Sequence, residues 1–142
     1  MLKKIAALSA STAGRAMNNT TMKATAQGFA AMIYADGVVE DSELEAAYGI
    51  FKKNPKLAVF GQEAVRELDT ALDLWESSKR QARVNTNRAL EAWVGTASAE
   101  DKEDFLISVL DLMDCDGDQD PAEMEVAKNF AALAGLNLAN YL

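Results

Sequence analysis

The sequence predicts an all-α protein that folds as a single helical domain, and three observations lead to this prediction. Apolar residues recur at helical spacing along the chain, and no segment shows the apolar–polar alternation that is typical of a strand. Only two prolines and eight glycines interrupt the 142 residues. A chain of this length, 49% hydrophobic and 25% charged, has the usual size and balance of one globular domain. We therefore expect six to seven helices in one domain, residues 20–142, after an N-terminal segment, residues 1–19, that is frayed or helical.

Turn signals bound the first two predicted helices. The segment 21–35 is small and apolar, and Asp36-Gly37 ends it because glycine readily adopts the left-handed conformation that terminates helices. The second helix, 41–53, ends at Asn54-Pro55, since a residue that precedes proline is disfavoured in helical conformation. Its apolar residues follow the spacing i, i+3, i+4 and i+7, at Leu44, Ala47, Tyr48 and Phe51.

Apolar stripes predict two further helices, at 62–77 and 80–95. The stripe of the first contains Val65, Leu68, Leu72 and Trp75, and that of the second contains Val84, Leu90 and Trp93. Side chains that recur at this spacing lie on one face of a helix, so we expect both stripes to be buried.

Capping residues predict the last two helices, at 99–113 and 121–134. Ser98 precedes the first, with Asp101 three residues later. Asp120-Pro121 precedes the second and is a stronger start signal, because aspartate caps a helix and proline is favoured at its first position. Gly135 ends this helix.

The composition excludes several kinds of active site. The chain has one cysteine and no histidine, which rules out an intrachain disulfide framework, a Cys/His zinc site and histidine-based catalysis. With 14 basic and 22 acidic residues the net charge is −8, so nucleic acid is not an expected partner. No apolar run approaches the roughly 18 residues of a membrane span. The apolar stretch after Lys3-Lys4 is broken at once by Ser9 and Ser11, so we expect a cytoplasmic protein rather than a membrane or secreted one.

An internal repeat is the most informative feature of the sequence. Residues 35–45 match residues 115–125 at a constant offset of 80, so that Asp36-Gly37 and Glu43 correspond to Asp116-Gly117 and Glu123. Each copy follows an apolar helix and precedes an amphipathic one. We therefore expect two pseudo-symmetric helix–Asp-Gly–helix units, whose acidic turns lie near each other.

The second copy is unusually rich in carboxylates, and these suggest a metal site. Capping explains the acids that begin the following helix, but it does not explain those at the preceding helix C-terminus, where the macrodipole disfavours negative charge. A bound cation would relieve their repulsion, and all-oxygen ligands suit Ca²⁺ or Mg²⁺, and also Mn²⁺. The alternative is a solvated acidic loop. The candidate ligands are Asp114, Asp116, Asp118, Asp120, Glu123 and Glu125, with Asp36 and Glu43 forming the related acidic site of the first copy.

A calcium loop of the EF-hand type is a further alternative for residues 114–125. Asp114, Asp116, Asp118 and Glu125 occupy the side-chain ligand positions one, three, five and twelve of such a loop. However, Gln119 stands where the loop needs a glycine. The first copy lacks the ligand pattern, so a paired EF-hand is not expected.

The two Asp-Gly motifs, each with a glutamate seven positions after the aspartate, resemble the TerB family of tellurite-resistance and stress-response proteins. The segments 50–60 and 134–142 are also similar to that family, and the resemblance covers about residues 20–142. It implies an all-helical, pseudo-symmetric domain with an acidic, metal-binding centre and no established catalytic activity. It also implies action through protein partners, including membrane-associated ones. The polar Asp118-Gln119 departs from the first copy, which has Val38-Val39 in its place.

Three functional classes are compatible with the sequence. The first is a TerB-like stress-response module that binds a divalent cation and works through protein interactions. The second is a calcium buffer or sensor that uses the degenerate loop at 114–125. The third is a helical structural or interaction protein without metal. An enzyme is not expected, because the carboxylates are accompanied by no nucleophile, histidine or phosphate-binding loop. A basic patch at Lys79, Arg80, Arg83 and Arg88 is interpreted as solvated helix surface.

Overall fold

The structure is a computed structural model that describes the backbone of residues 2–117 and 120–142 and the side chains of residues 18–117 and 120–142. This part of the chain is helical and contains no strand, which confirms the predicted fold class. The α-helices are α1 (Leu2–Ile33), α2 (Asp41–Lys53), α3 (Pro55–Ala58), α4 (Gln62–Ser77), α5 (Lys79–Val94), α6 (Ala99–Met113) and α7 (Pro121–Ala134). Short 3₁₀ turns follow at Asp114–Asp116 and Leu138–Asn140.

Helix α1 is the centre of the bundle. It contacts α4, α5, α6 and α7, and its residues Phe29, Met32 and Ile33 have no exposed surface. Small residues let the neighbouring helices approach closely: a Cβ atom at Gly28 would lie 2.7 Å from the ring of Phe105. The same ring contacts Trp93, with the ring centroids 5.0 Å apart. These contacts hold α1, α5 and α6 around one hydrophobic core.

The predicted capping residues end and begin helices as expected. The Ser98 hydroxyl accepts a hydrogen bond from the Asp101 backbone N–H at 3.1 Å. Asp120 Oδ1 accepts one from the Ala122 N–H at 2.7 Å. Gly37 and Gly117 both have a φ of 80°, the left-handed conformation that favours glycine. The Asp-Gly turns thus have the same backbone geometry at this position.

Three expectations about individual helices need correction. Helix α1 spans Leu2–Ile33 and is therefore longer than the predicted 21–35, since residues 2–20 continue it without a break. Val84 was expected on the buried stripe of α5 but is 37% exposed, because Ala82 and Leu90 define a buried face that position 84 points away from. The short helix α3 was not predicted. Among the described residues, no helix combines the length and apolar character needed to cross a bilayer.

Candidate metal centre

Helices α2 and α7 begin in the same way. Each starts with an acidic residue at its N-cap, Glu40 or Asp120, and carries a glutamate at its third position, Glu43 or Glu123. The two glutamates are only 4% exposed each. Glu40 and Glu43 precede Asp120 and Glu123 by the repeat offset of 80 residues. Both helices therefore bury an equivalent glutamate carboxylate at their N-termini.

Three carboxylates from two separate turns converge at the start of α7. One oxygen each of Asp36, Asp120 and Glu123 lies within 4.8 Å of the others. Asp36 belongs to the turn after α1, and its Oδ1 accepts a hydrogen bond from the Val38 N–H at 3.0 Å. Asp120 is half-buried and caps α7. A carboxylate has two oxygens, so both aspartates keep one to offer a ligand.

Glu123 is the most deeply buried member of this group. Its side chain is only 4% exposed, and among the described residues its carboxylate lacks the capping-box hydrogen bond that Glu43 accepts at the start of α2. Burial raises the pKa of Glu123 from 4.5 to about 7, and the nearby charges of Glu43, Asp116 and Asp36 raise it further in the same direction. Burial disfavours the ionised form of a carboxylate, because ionisation then costs the lost hydration.

Glu43 repeats this situation at the start of α2. Its Oε1 accepts a hydrogen bond from the Glu40 N–H at 3.3 Å, which favours the ionised form. Burial has the larger effect and raises the pKa of Glu43 to about 7, and the charges of Asp36, Glu40 and Asp116 add to it. Carboxylates of both Asp-Gly turns therefore act on one another, as the sequence predicted for neighbouring turns. The pseudo-twofold symmetry of the two units stays a prediction.

The structure brings together five of the eight predicted ligands: Asp36, Glu43, Asp116, Asp120 and Glu123. Asp114 and Glu125 are exposed and do not belong to the three-carboxylate group. Asp118 lies outside the described residues.

Glu40 was missed by the sequence analysis, although its charge contributes to the raised pKa of Glu43. The signal was present in the sequence, because Glu40 lies 80 residues before Asp120. Glu40 occupies the N-cap position of α2, as Asp120 does in α7.

The donor set fits a hard divalent cation. All donors are carboxylate oxygens, the ligands that Ca²⁺, Mg²⁺ and Mn²⁺ prefer, and nitrogen or sulfur donors for zinc or copper are missing from the three-carboxylate group. A cation there would replace the hydration that Glu123 loses on burial. It would also reduce the repulsion among the carboxylates of the two turns.

Comparison with known proteins identifies the family. The profile described as tellurite resistance protein TerB matches residues 22–141, nearly the whole chain. Searches of curated proteins and of solved structures gave no significant match. The matched region contains both Asp-Gly turns and every carboxylate of the site. The chain therefore belongs to the TerB family of tellurite-resistance proteins.

Proposed function

We propose that this protein is a non-enzymatic, cytoplasmic TerB module that binds a divalent cation between its two Asp-Gly turns and acts through protein interactions. The observation that carries the proposal is the buried carboxylate of Glu123, one oxygen of which lies within 4.8 Å of carboxylate oxygens of Asp36 and Asp120. Such a group is destabilising in an empty site and becomes favourable once a cation neutralises it.

The number of converging charges supports a divalent rather than a monovalent ion. Asp36, Asp120 and Glu123 supply three carboxylates, while Glu43 and Asp116 act on the same site electrostatically. Ca²⁺ accepts six to eight oxygen ligands in flexible geometry, whereas Mg²⁺ keeps several waters. The exposed side of Asp36 leaves room for water ligands in either case.

Calorimetric titration with Ca²⁺, Mg²⁺ and Mn²⁺ tests the site. We expect Asp36→Asn and Glu123→Gln to weaken binding of the preferred ion by roughly tenfold or more, because each removes a charged ligand of the cluster. The matched control is Glu45→Gln, which removes an exposed charge from the same helix that carries Glu43. Equal weakening by the control would mean that only overall charge matters, which contradicts a defined site.

The same titration separates the two alternatives. The degenerate calcium loop at 114–125 would require Asp114 and Glu125 but not Asp36. Asp114→Asn and Glu125→Gln should therefore leave binding nearly intact if our proposal is correct. A protein without a metal site would show no heat of binding, and its melting temperature would respond to the divalent salts only as it does to NaCl of equal ionic strength.

Exposed apolar residues beside the site support the interaction part of the proposal. Val38 and Val39 follow Asp36 directly and are 57% and 37% exposed. In the proposal these two valines contact a protein partner, and membrane-associated proteins are included among the candidates. Pull-down from native cells, with and without EDTA, should lose cation-dependent partners when Val38 and Val39 are both replaced by serine. Retention of the same partners by this variant would argue against the valine surface.

A further inference from the structure

Helix α5 carries an exposed basic row on the side opposite the core. Arg80, Val84 and Arg88 lie at i, i+4 and i+8, so they follow one another along a single face of the helix. All three are exposed, and among the side chains that the structure describes Val84 is one of the few large apolar ones with more than a third of its surface in solvent. Residues 77–90 contain no acid. Within the described part of the chain, neither arginine forms an ion pair.

Helix α6 carries a row of the same construction and the opposite charge. Glu103, Ile107 and Asp111 also lie at i, i+4 and i+8, and all three are exposed. Ile107 is 43% exposed, while its helix buries Phe105, Leu106 and Val109 on the other side. Glu103 accepts a hydrogen bond from the Tyr141 hydroxyl at 2.8 Å, and this contact leaves its second oxygen available.

We propose that the α5 row (Arg80, Val84 and Arg88) docks onto the α6 row (Glu103, Ile107 and Asp111) of a second copy of this chain. In both rows the two charges are eight residues apart, which corresponds to about 12 Å along a helix. The apolar residue lies midway between them in each. Two helices packed side by side would therefore pair both charges and place Val84 against Ile107, whichever way the helices run.

The exposed Val84 and Ile107 at the centres of the rows distinguish them from an ordinary solvated helix surface. Exposed ion pairs alone contribute little to association, because salt and water screen them. Contact between Val84 and Ile107 adds buried apolar surface at the centre, and the flanking pairs fix the register and exclude wrong partners. The two rows are different surfaces of one chain. Two copies can therefore exchange both contacts in a two-fold dimer, or each contact can join a further copy into a ring or a growing chain.

Charge reversal with mixing tests the proposal in the full-length protein. One variant carries Arg80→Glu and Arg88→Glu, and the other carries Glu103→Arg and Asp111→Arg. Sedimentation velocity at about 0.1 M salt should show association of the wild type, and roughly tenfold or greater weakening in each variant alone. A mixture of the two variants should associate again, since every acidic row then meets a basic row.

Matched controls separate this contact from changes in net charge. The control for the first variant carries Arg66→Glu and Lys128→Glu, which change the net charge by the same amount. The control for the second variant carries Glu45→Arg and Asp73→Arg for the same reason. All four residues are exposed and lie outside both rows. The controls should associate as the wild type does, and circular dichroism should show that all variants remain helical. Asp111→Arg alone serves as the acidic-row variant if loss of the Tyr141 contact disturbs Glu103→Arg. A wild type that stays monomeric at millimolar concentration, or a mixture that fails to associate, overturns the proposal.

Discussion

Replacing Glu123 with glutamine should stabilise the protein in the absence of divalent cations. The buried carboxylate of Glu123 has its pKa raised to about 7, against 4.5 for an ordinary glutamate. In the folded state its ionisation is therefore less favourable than in the unfolded chain. Glutamine has nearly the same shape and no charge, so the variant avoids this cost.

The size of the effect follows from the shift of the pKa. A rise from 4.5 to about 7 corresponds to roughly 3 kcal/mol at about 1.4 kcal/mol per pH unit. The neighbouring carboxylates share the site and water reaches part of it, so we expect about 1–2 kcal/mol above neutral pH. For a domain of this size, that is an increase in melting temperature of roughly 3–8 °C.

The pH dependence gives the sign of the effect. The folded state binds more protons than the unfolded chain between pH 4.5 and about 7, so the wild type loses stability as the pH rises through this interval. The advantage of Glu123→Gln should be complete near pH 8 and should nearly vanish near pH 4, where the carboxyl group is neutral in both states. Burial also raises the pKa of Glu43 to about 7, so Glu43→Gln should behave in the same way.

Thermal melts in EDTA, followed by circular dichroism at both pH values, measure this effect. Glu125→Gln is the control, because it removes an exposed charge from the same helix and should leave the melting temperature nearly unchanged. Addition of the preferred cation at a hundredfold excess over Kd should stabilise the wild type by about 2.7 kcal/mol and the Glu123→Gln variant much less. A variant that is less stable than the wild type near pH 8, or whose gain in stability is the same at every pH, would contradict the raised pKa of Glu123.

Three further substitutions test the fold, each by urea denaturation. Gly117→Ala should destabilise the folded protein by about 1–2 kcal/mol, because Gly117 has a φ of 80° and alanine is disfavoured in this left-handed conformation. The added Cβ itself would lie in open space. An unchanged midpoint of urea denaturation would contradict the turn geometry. Gly28→Ala should lower the free energy of unfolding by about 1–3 kcal/mol, since its Cβ would lie 2.7 Å from the Phe105 ring. A stabilised variant would show that α1 and α6 are packed less closely. Ser98→Ala should cost about 1 kcal/mol through loss of the cap on Asp101, whereas a neutral result would exclude that hydrogen bond in solution.

Helix boundaries followed closely from the sequence wherever a capping residue acts locally. Ser98 and Asp120 accept hydrogen bonds from backbone N–H groups two or three residues later, so the start of α6 and of α7 needs no tertiary information. The start of α1 could not be predicted in this way, because Ser9, Ser11 and Asn19 are all residue types that can cap a helix, yet α1 continues through each of them. The exposure of Val84 shows the limit of apolar character alone, since its angular position relative to Ala82 and Leu90 decides its burial.

The sequence predicted which acidic residues form the candidate site, but not which of them are buried or how they lie relative to one another. The repeat placed Asp36, Glu43 and Glu123 in one hypothesis, and the structure brings them together. Their division into buried glutamates and more exposed aspartates depends on how the N-termini of α2 and α7 pack, which no local pattern encodes. Asp114 had equal standing in the sequence, yet it is exposed and lies outside the three-carboxylate group.

The placement of the site links its electrostatics to the architecture of the bundle. Asp36 lies in the turn that joins α1 to α2, whereas Asp120 and Glu123 begin α7. A cation bound by all three would tie two segments that are distant along the chain, and it would act at helix N-termini whose dipoles already favour the carboxylates. Without the cation, the repulsion among these groups works against the same packing. Occupancy of the site would therefore change how firmly the Val38–Val39 turn is held against α7. On our proposal, this is the step by which cation binding controls the surface offered to a partner.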